Sequence, residues 1–372
     1  MRVVLILVAA SACDFTPGEL LDSGIDSDRP IDMPEMMDPL CFGKMPLRMC
    51  LQALPSAPVT LAPSINTGDS AATKCTAVDG IVVMLGDVEV CAIAGTDVTI
   101  MGAMVGVGGP RPLVVAATNN IDVTATNFDI TSGQGGNGPN ANPLDCDTTG
   151  TNGASDSSRG GGGAGGSFGG KGGDGGAGGT GTAAGGTAQS IATSFDKLRG
   201  GCPGGTGAAG SGATAAGGSG GGVVYLVAKN EIHVSGLINA SGAGGKGGIA
   251  SRGGGGGGGS GGMIVLFAPT LTIDATARIF AHGGGGGGGA SNSVDGGVGG
   301  DGLVFDATAS GGSAGGSTAT AGGNGAFDSV GAGQPGTATD GAGGGGGSVG
   351  VIRVLSGQTI TAANASPTPI LN

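Results

Sequence analysis

The stretch GGMIVLFAPTLTIDATARIFAHGGGGGGG, residues 261–289, places an apolar segment rich in β-branched residues between two glycine tracts. Alternating apolar residues indicate β-strands with one buried face. Glycine weakens strands because it has no side chain to pack and a large conformational entropy to lose. The stretch therefore predicts short strands joined by long segments that are poor in side chains.

Blocks of the same kind occur elsewhere in the chain. LVVAATNNIDV begins at Leu113, VYLVAKNEIHV at Val224, IVLFAPTLTID at Ile264 and VIRVLSGQTIT at Val351. Equivalent apolar positions in these blocks are Ile121, Ile232, Leu271 and Ile360, followed two residues later by Val123, Val234, Ile273 and Ala362. Because no block can bury its apolar face alone, we expect the blocks to stack. The predicted fold is all-β, with a parallel β-helix or solenoid-like core.

The glycine tracts between the blocks are predicted to be long excursions from this core. In GGGGAGGSFGGKGGDGGAGGTG, residues 160–181, two glycines repeatedly precede a small or polar residue. Glycine-dense chains can form polyproline II-like helices, which have three residues per turn and can approach one another closely. The alternative is that the tracts form irregular, loose loops. The sequence does not decide between packed polyproline II-like segments and loose loops.

Composition limits the classes of partner. The chain has 372 residues with 91 Gly, only 11% charged residues and a net charge of −12. Glycine at this level indicates low-complexity sequence, but disordered chains usually carry more charge and fewer apolar residues. The acidic balance offers no basic stripe for phosphates, so we expect no nucleic acid as partner.

The N-terminus predicts export. MRVVLILVAASAC has a charge at Arg2, an apolar run too short to span a bilayer, and small residues before Cys13. The sequence Ala10-Ser11-Ala12-Cys13 resembles a bacterial lipobox, although Ala10 stands where Leu is usual. We therefore predict a signal peptide over residues 1–12 and lipidation of Cys13. Plain export, with Cys13 incidental, is the alternative.

An acidic, proline-containing segment follows Cys13. Residues 14–40 carry eight acids against one base, Arg29. Such a segment cannot bury enough apolar area to offset its ordering entropy. We therefore predict a disordered, lipid-anchored tether over residues 13–40, which a merely flexible N-terminus would match equally well.

The remaining cysteines are even in number, which in an exported chain predicts disulfides. Sequential pairing would join Cys41 with Cys50, Cys75 with Cys91, and Cys146 with Cys202. This framework suggests a disulfide-stapled N-terminal cap over residues 41–100 and a glycine-rich domain over residues 101–372. Zinc is the rival hypothesis, but no C-x-x-C occurs, and His233 and His282 lie far from the cysteines.

Several segments together resemble a known family. These are the anchor and tether, CFGKMPLRMC, GPRPLVVAATNNIDV, LRGGCPGGTG, GGGVVYLVAKNEIHVSGLINASGAGG, GGGSGGMIVLFAPTLTI and GGGGGSVGVIRV. The chain resembles the glycine-rich surface lipoproteins of the myxobacterial type. The resemblance implies an outer-surface location and a β-solenoid-like body, and it transfers no catalytic residue.

Motifs for catalysis are sparse. Gly258-x-Ser260-x-Gly262 matches the nucleophile elbow of α/β-hydrolases, but the surrounding sequence lacks the strand–turn–helix pattern that this motif requires. Carbohydrate-active β-helix enzymes, either polysaccharide lyases or hydrolases, are the sharper alternative, because they work through clustered carboxylates on one face. The strand blocks offer the scattered acids Asp122, Asp129, Glu231 and Asp274. We predict no catalytic residues and no cofactor.

Two further motifs suggest minor alternatives. GGVGGDGLV, residues 296–304, fits one calcium β-roll repeat with Asp301 as ligand, but such repeats need tandem copies. Otherwise we predict no metal. Ice binding is suggested by the glycine-rich helices and the pairs Thr124/Thr126, Thr318/Thr320 and Thr337/Thr339, which are dispersed.

The sequence thus favours a non-enzymatic, exported lipoprotein of the cell envelope, exposed on the outer membrane. Its predicted role is structural, adhesive or matrix-forming. The membrane, reached through the lipid anchor, is the predicted partner, together with extracellular polysaccharide or other surface proteins.

Overall fold

The computed structural model describes residues 38–61, 63–68, 75, 80–133, 136–146, 150–179, 182–189, 195–303, 305–327, 340–355 and 364–371. The predicted signal peptide, Cys13 and nearly all of the predicted tether lie outside these residues. Pro39–Asn372 form one compact unit.

The described strands are short. In chain order they are β1 (Cys41–Phe42), β2 (Met49–Cys50), β3 (Val59–Thr60), β4 (Ser64–Asn66), β5 (Ile81–Leu85), β6 (Val88–Gly95), β7 (Val98–Ile100), β8 (Val105–Gly108), β9 (Leu113–Ala117), β10 (Asn120–Val123), β11 (Phe128–Asp129), β12 (Val223–Ala228), β13 (Glu231–Val234), β14 (Leu237–Asn239), β15 (Met263–Phe267), β16 (Thr270–Ile273), β17 (Arg278–Phe280), β18 (Val351–Val354), β19 (Ala365–Ser366) and β20 (Ile370–Leu371). A 3-10 helix, Leu144–Cys146, accompanies them.

These strands form separate sheets. One has the order β16-β13-β10-β7-β3, a second β19-β17-β14-β11-β8-β4, and a third β20-β18-β15-β12-β9-β6-β5, while β1 and β2 pair alone. The predicted blocks pair in parallel and in register, with Ile121 opposite Ile232 and Ile232 opposite Leu271. Ile360 and Ala362 of the last block lie outside the described residues.

The prediction of an all-β fold with a parallel β-helix or solenoid-like core is wrong. Parallel and antiparallel pairing both occur, because β5 pairs antiparallel with β6, and β1 with β2, whereas the other described strands pair in parallel. The strands form separate open sheets and not one closed solenoid. The two-residue turn at Gly86 and Asp87 explains the first antiparallel pair, since so short a connection cannot join parallel strands.

The central strands of the seven-stranded sheet are buried on both faces. In β12, alternate residues such as Leu226 pack into a cluster shared by the three large sheets. The intervening residues, such as Tyr225, pack into a second cluster with Phe42 and Met49 of the β1–β2 hairpin. The hairpin therefore covers an apolar sheet face that would otherwise be exposed to water.

The glycine-rich segments form a further body beside the sheets. We name this part the glycine body: residues 150–179, 182–189, 199–222, 240–262, 281–303, 309–327 and 340–350. Of the alternatives that the sequence left open, the structure shows the packed one. Segment 253–262 is buried throughout, although it contains no side chain larger than serine.

The hydrogen bonds of this segment repeat every three residues. The amides of Gly254, Gly257 and Ser260 donate to segment 202–208, those of Gly255, Gly258 and Gly261 to segment 342–348, and those of Gly256, Gly259 and Gly262 to segment 240–246. Its carbonyls accept from segments 160–166, 218–221 and 284–290. The three-residue repeat is that of a polyproline II helix, whose backbone groups bond to neighbours because none can bond internally.

Glycine is required inside this body by sterics. A Cβ on Gly258 would lie 2.0 Å from the carbonyl oxygen of Gly284, and one on Gly257 would lie 1.9 Å from that of Ala164. On the outer segments every third position faces solvent and carries a side chain, as at Lys171 and Asp174. The doublets of glycine before a polar residue are thus explained by one solvent-facing position in each turn.

The disulfides are Cys41–Cys50, Cys75–Cys91 and Cys146–Cys202. These are the sequential pairs expected from the sequence. The first closes the β1–β2 hairpin, and the second ties β6 to the segment before β5. The third joins the 3-10 helix to the glycine body.

Candidate functional site

A charged groove lies where the strands meet the glycine body. It has a cavity volume of about 840 Å³. Its walls are the β5–β6 turn, the segment between β8 and β9, the 3-10 helix, and residues 197–199. Its ionisable side chains are Asp87, Glu89, Arg111, Asp145, Lys197 and Arg199. We refer to this cavity as the charged groove.

Acids and bases of the groove pair with one another. Arg111 Nε lies 3.3 Å from Glu89 Oε2, and Arg111 Nη1 also donates to the Thr67 carbonyl at 3.2 Å. Lys197 pairs with Asp87, and its hydrogen bond holds the pKa of Asp87 below the ordinary value. Lys197 thus favours the ionised form of the Asp87 carboxyl group.

Arg199 fixes the third acid of the groove. Its Nη1 lies 2.8 Å from Asp145 Oδ2, and its guanidinium stacks on Phe168 at 5.1 Å from the ring centroid. Burial lowers the pKa of Arg199, and the neighbouring Asp145 carboxylate opposes this. Arginine remains charged even so. Arg199 Nη2 also lies 3.1 Å from both sulfurs of the Cys146–Cys202 disulfide.

The floor of the groove is fixed by two asparagines in the left-handed region, Asn140 with φ 53° and Asn142 with φ 57°. Asn140 Nδ2 donates to the Pro110 carbonyl at 3.1 Å, and its Oδ1 accepts the Gly200 amide at 3.2 Å. Asn tolerates this backbone conformation better than most residues. The groove is thus held by side-chain bonds to both walls.

A second polar cluster lies on the outer face of the five-stranded sheet. His233 Nε2 donates to Asp274 Oδ1 at 3.1 Å, and His233 Nδ1 lies 3.5 Å from Asp122 Oδ1. The hydrogen bond to Asp274 raises the pKa of His233, against a smaller opposing effect of burial. We name these three residues the His233 cluster.

The other acids singled out in the sequence have local partners. Asp129 Oδ1 accepts the hydroxyl of Thr131 at 2.6 Å, and Glu231 Oε1 accepts that of Thr272 at 2.5 Å. Of the four scattered acids noted in the sequence, the structure therefore brings Asp122 and Asp274 together and places His233 between them.

Two motif residues have structural contacts. Ser260 is fully buried, and its Oγ accepts the Cys202 amide at 2.8 Å. Asp301, the calcium candidate, accepts the Gly244 amide through Oδ1 at 2.8 Å. Within the described ranges, no group of three or more His, Cys, Asp or Glu residues could hold a metal ion.

Sequence reasoning missed the charged groove. Its ionisable residues come from four separate segments and belong to no motif, so only the fold brings them together. One sequence signal for part of the groove is the predicted Cys146–Cys202 disulfide. It places residues 144–146 near residues 199–202, and so brings Asp145 near Arg199.

Comparison with family models, with curated proteins and with solved structures finds no match to this chain. No helix among the described residues has the length and apolar character needed to cross a bilayer.

Proposed function

We propose that this chain is an exported, lipid-anchored protein of the cell surface, with a non-enzymatic role in adhesion or in the extracellular matrix. The observation that carries the proposal is the set of three disulfides in the described residues. Disulfides persist in oxidising compartments outside the cytosol. The signal-like N-terminus, the lipobox-like Cys13 and the resemblance to glycine-rich surface lipoproteins support the same proposal.

The glycine body suits a mechanical or display role. Its interior is held by main-chain hydrogen bonds in several directions, so it presents its surface side chains on a rigid support. A rigid support reduces the entropy lost when those side chains meet a partner. Adhesion therefore fits this architecture better than a reaction that needs mobile loops.

The charge state of Asp87 does not favour acid catalysis in the groove. A glycosidase needs one carboxyl group that stays protonated near neutral pH, which requires a raised pKa. Asp87 has the opposite shift, because Lys197 stabilises its ionised form. The carbohydrate-active enzyme hypothesis thus lacks support from this carboxyl group.

Anchoring is tested by expressing the wild type and Cys13→Ser in a Gram-negative host with labelled fatty acid. We expect label and membrane association for the wild type, and neither for Cys13→Ser. Ser11→Ala, which keeps a small residue in the lipobox, serves as the matched control. Equal membrane association of all three proteins, with no label in the wild type, would contradict the proposal.

Ice binding is a second candidate, because one surface of the glycine body favours it. Neighbouring outer segments there carry the small uncharged side chains of Asn152, Ser155, Thr206, Ala209 and Ala216. Ice recrystallisation assays test this, with Ala216→Lys on the surface and Ala321→Lys on another outer segment as control. Inhibition lost only in Ala216→Lys would support ice binding, and no inhibition by the wild type would exclude it.

A further inference from the structure

We propose that the charged groove binds a neutral, hydroxyl-rich polysaccharide chain. This inference rests on the proposed function, because it names the ligand class through which a surface protein would adhere. It follows from the charge balance of the groove, the exposure of its carboxylates and one unusually exposed leucine.

Charge balance selects against charged ligands. Each acid of the groove has a basic partner: Asp87 with Lys197, Glu89 with Arg111, and Asp145 with Arg199. The paired charges leave no net field to attract a polyanion or a basic peptide, and either ligand would have to break existing ion pairs. A neutral ligand has no such cost.

The carboxylates remain open to a ligand that donates hydrogen bonds. The side chains of Asp87, Glu89 and Asp145 are 68%, 61% and 63% exposed, whereas that of Arg199 is 10% exposed. Ionised carboxylates are acceptors only, with several lone pairs each. Sugar hydroxyls can donate to the lone pairs that the bases leave unused, and hydrogen bonds to charged acceptors are the stronger kind.

Leu144 supplies the apolar contact. It is 90% exposed, the largest exposure among the large apolar side chains of the described residues, and lines the groove beside Asp145. The 3-10 helix that carries it is held by the Cys146–Cys202 disulfide. A leucine held out in water at a polar groove can pack on the C–H face of a sugar ring, which offers apolar area between its hydroxyls.

Size and rigidity agree with a chain of sugars. A volume of about 840 Å³ lies in the upper range for sites that hold molecules of drug size. The groove is open, so a polymer can enter from the side without a conformational change. The bonds of Asn140 to Pro110 and Gly200 hold its walls in place before the ligand arrives.

The test uses full-length mature protein, purified in detergent from whichever cell fraction contains it. Affinity electrophoresis measures its retention by dextran, galactomannan and xyloglucan as neutral probes, by alginate as a carboxylate probe and by polylysine as a basic peptide, each at low and at high salt. We expect retention by at least one neutral polysaccharide that changes little with salt, and none by alginate or polylysine.

Groove variants locate the binding. We expect Leu144→Ala and Asp145→Asn each to weaken retention about tenfold, the loss typical of one good contact. Leu303→Ala and Asp306→Asn, exposed residues remote from the groove in the chain, should bind as the wild type does. Circular dichroism melting checks that each variant is folded. If Asp145→Asn is unfolded, Leu144→Ala alone tests the inference.

Three results would overturn the inference: no retention by any neutral polysaccharide, salt-sensitive retention by alginate or polylysine alone, or equal retention of groove and control variants. The fatty-acid labelling above is independent of these results. A protein that is unlabelled but retained by a neutral polysaccharide would defeat the anchoring proposal and leave the groove inference standing. A protein that is labelled but retained by no neutral polysaccharide would support anchoring and defeat the groove inference.

Discussion

The sheets and the glycine body both pair their backbone groups in a close-packed interior, but different parts of the chain fill that interior. In the sheets, backbone groups bond within a layer, and side chains such as Leu226 fill the space between layers. In the glycine body, backbones lie so close that no side chain fits between them, and hydrogen bonds run to neighbours in several directions. One region buries side chains, whereas the other buries main chain.

This difference predicts opposite responses to mutation. A sheet core loses stability when a side chain is removed, because a cavity is left. The glycine body should lose stability when a side chain is added, because the neighbouring carbonyls cannot move away together. The predictions below test this contrast, from the largest expected effect to the smallest.

Gly258→Val should have the largest effect. The position needed by its Cβ lies 2.0 Å from the Gly284 carbonyl oxygen, so we expect a loss of more than about 5 kcal/mol in unfolding free energy. Gly170→Ala is the control, because a Cβ there meets nothing within 4 Å. Denaturant unfolding of both variants measures the difference, and similar small losses would mean that the segments are not close-packed.

Removal of the Cys146–Cys202 disulfide should come next. It spans 56 residues, most of them in the glycine body, so the double serine variant should lose about 4 kcal/mol through loop-closure entropy. The Cys41–Cys50 disulfide spans only 9 residues, and its removal should cost less. Calorimetric melting compares the two, and a larger loss for the shorter loop would argue against ordering of the glycine body.

Ile232→Ala tests the sheet side of the contrast. Ile232 is fully buried between the sheets, so we expect a loss of about 3 kcal/mol. Thr270→Ala on the exposed face of β16 should change stability by less than about 0.5 kcal/mol. If both variants unfold at the same denaturant concentration, the strand blocks do not share a core.

The strand side of the molecule was the more predictable from sequence. Apolar alternation placed Ile121, Ile232 and Leu271 at equivalent positions, and the structure pairs them in register. Alternation carries this information because successive residues of a strand face opposite sides. The same alternation implies that His233 and Asp274, each next to an inward-facing isoleucine, face away from the core, and their side chains are partly exposed there.

The antiparallel pair β5–β6 was missed, although a signal existed. Gly86-Asp87 stands at the centre of IVVMLGDVEV, residues 81–90, and is typical of a two-residue hairpin turn. Gly86 has a φ of +64°, which glycine adopts without strain.

The charged groove could not have been predicted, for a different reason. Arg111 and Glu89 are 22 residues apart, and Lys197 and Asp87 are 110 residues apart. The first pair follows from the packing of β6 beside β9, and the second from the packing of Lys197 beside the β5–β6 turn. The sequence contains no periodicity that reports this packing.

The smallest predicted effect concerns the His233 cluster. The pKa of His233 is raised above its ordinary value of 6.5, chiefly by its hydrogen bond to Asp274. The protonated imidazole therefore adds stability below pH 6.5, and this contribution is lost as the pH rises through the raised pKa. Because the cluster is partly exposed, we expect less than about 1 kcal/mol.

Thermal unfolding across this pH range, with His233→Gln beside the wild type, measures the contribution. The difference between the two proteins should be greatest at acidic pH and vanish at alkaline pH. Asp274→Asn should remove most of the same difference. A wild-type advantage that grows as pH rises would contradict the assigned role of Asp274.

The central claim is that the glycine body is ordered by main-chain hydrogen bonds, and amide hydrogen exchange tests it most directly. We predict that the amides of Gly254–Gly262, which donate to neighbours on three sides, exchange as slowly as those of β12 in the sheet core. Exchange of these glycine amides at the rate of unstructured chain, while β12 stays protected, would contradict the account.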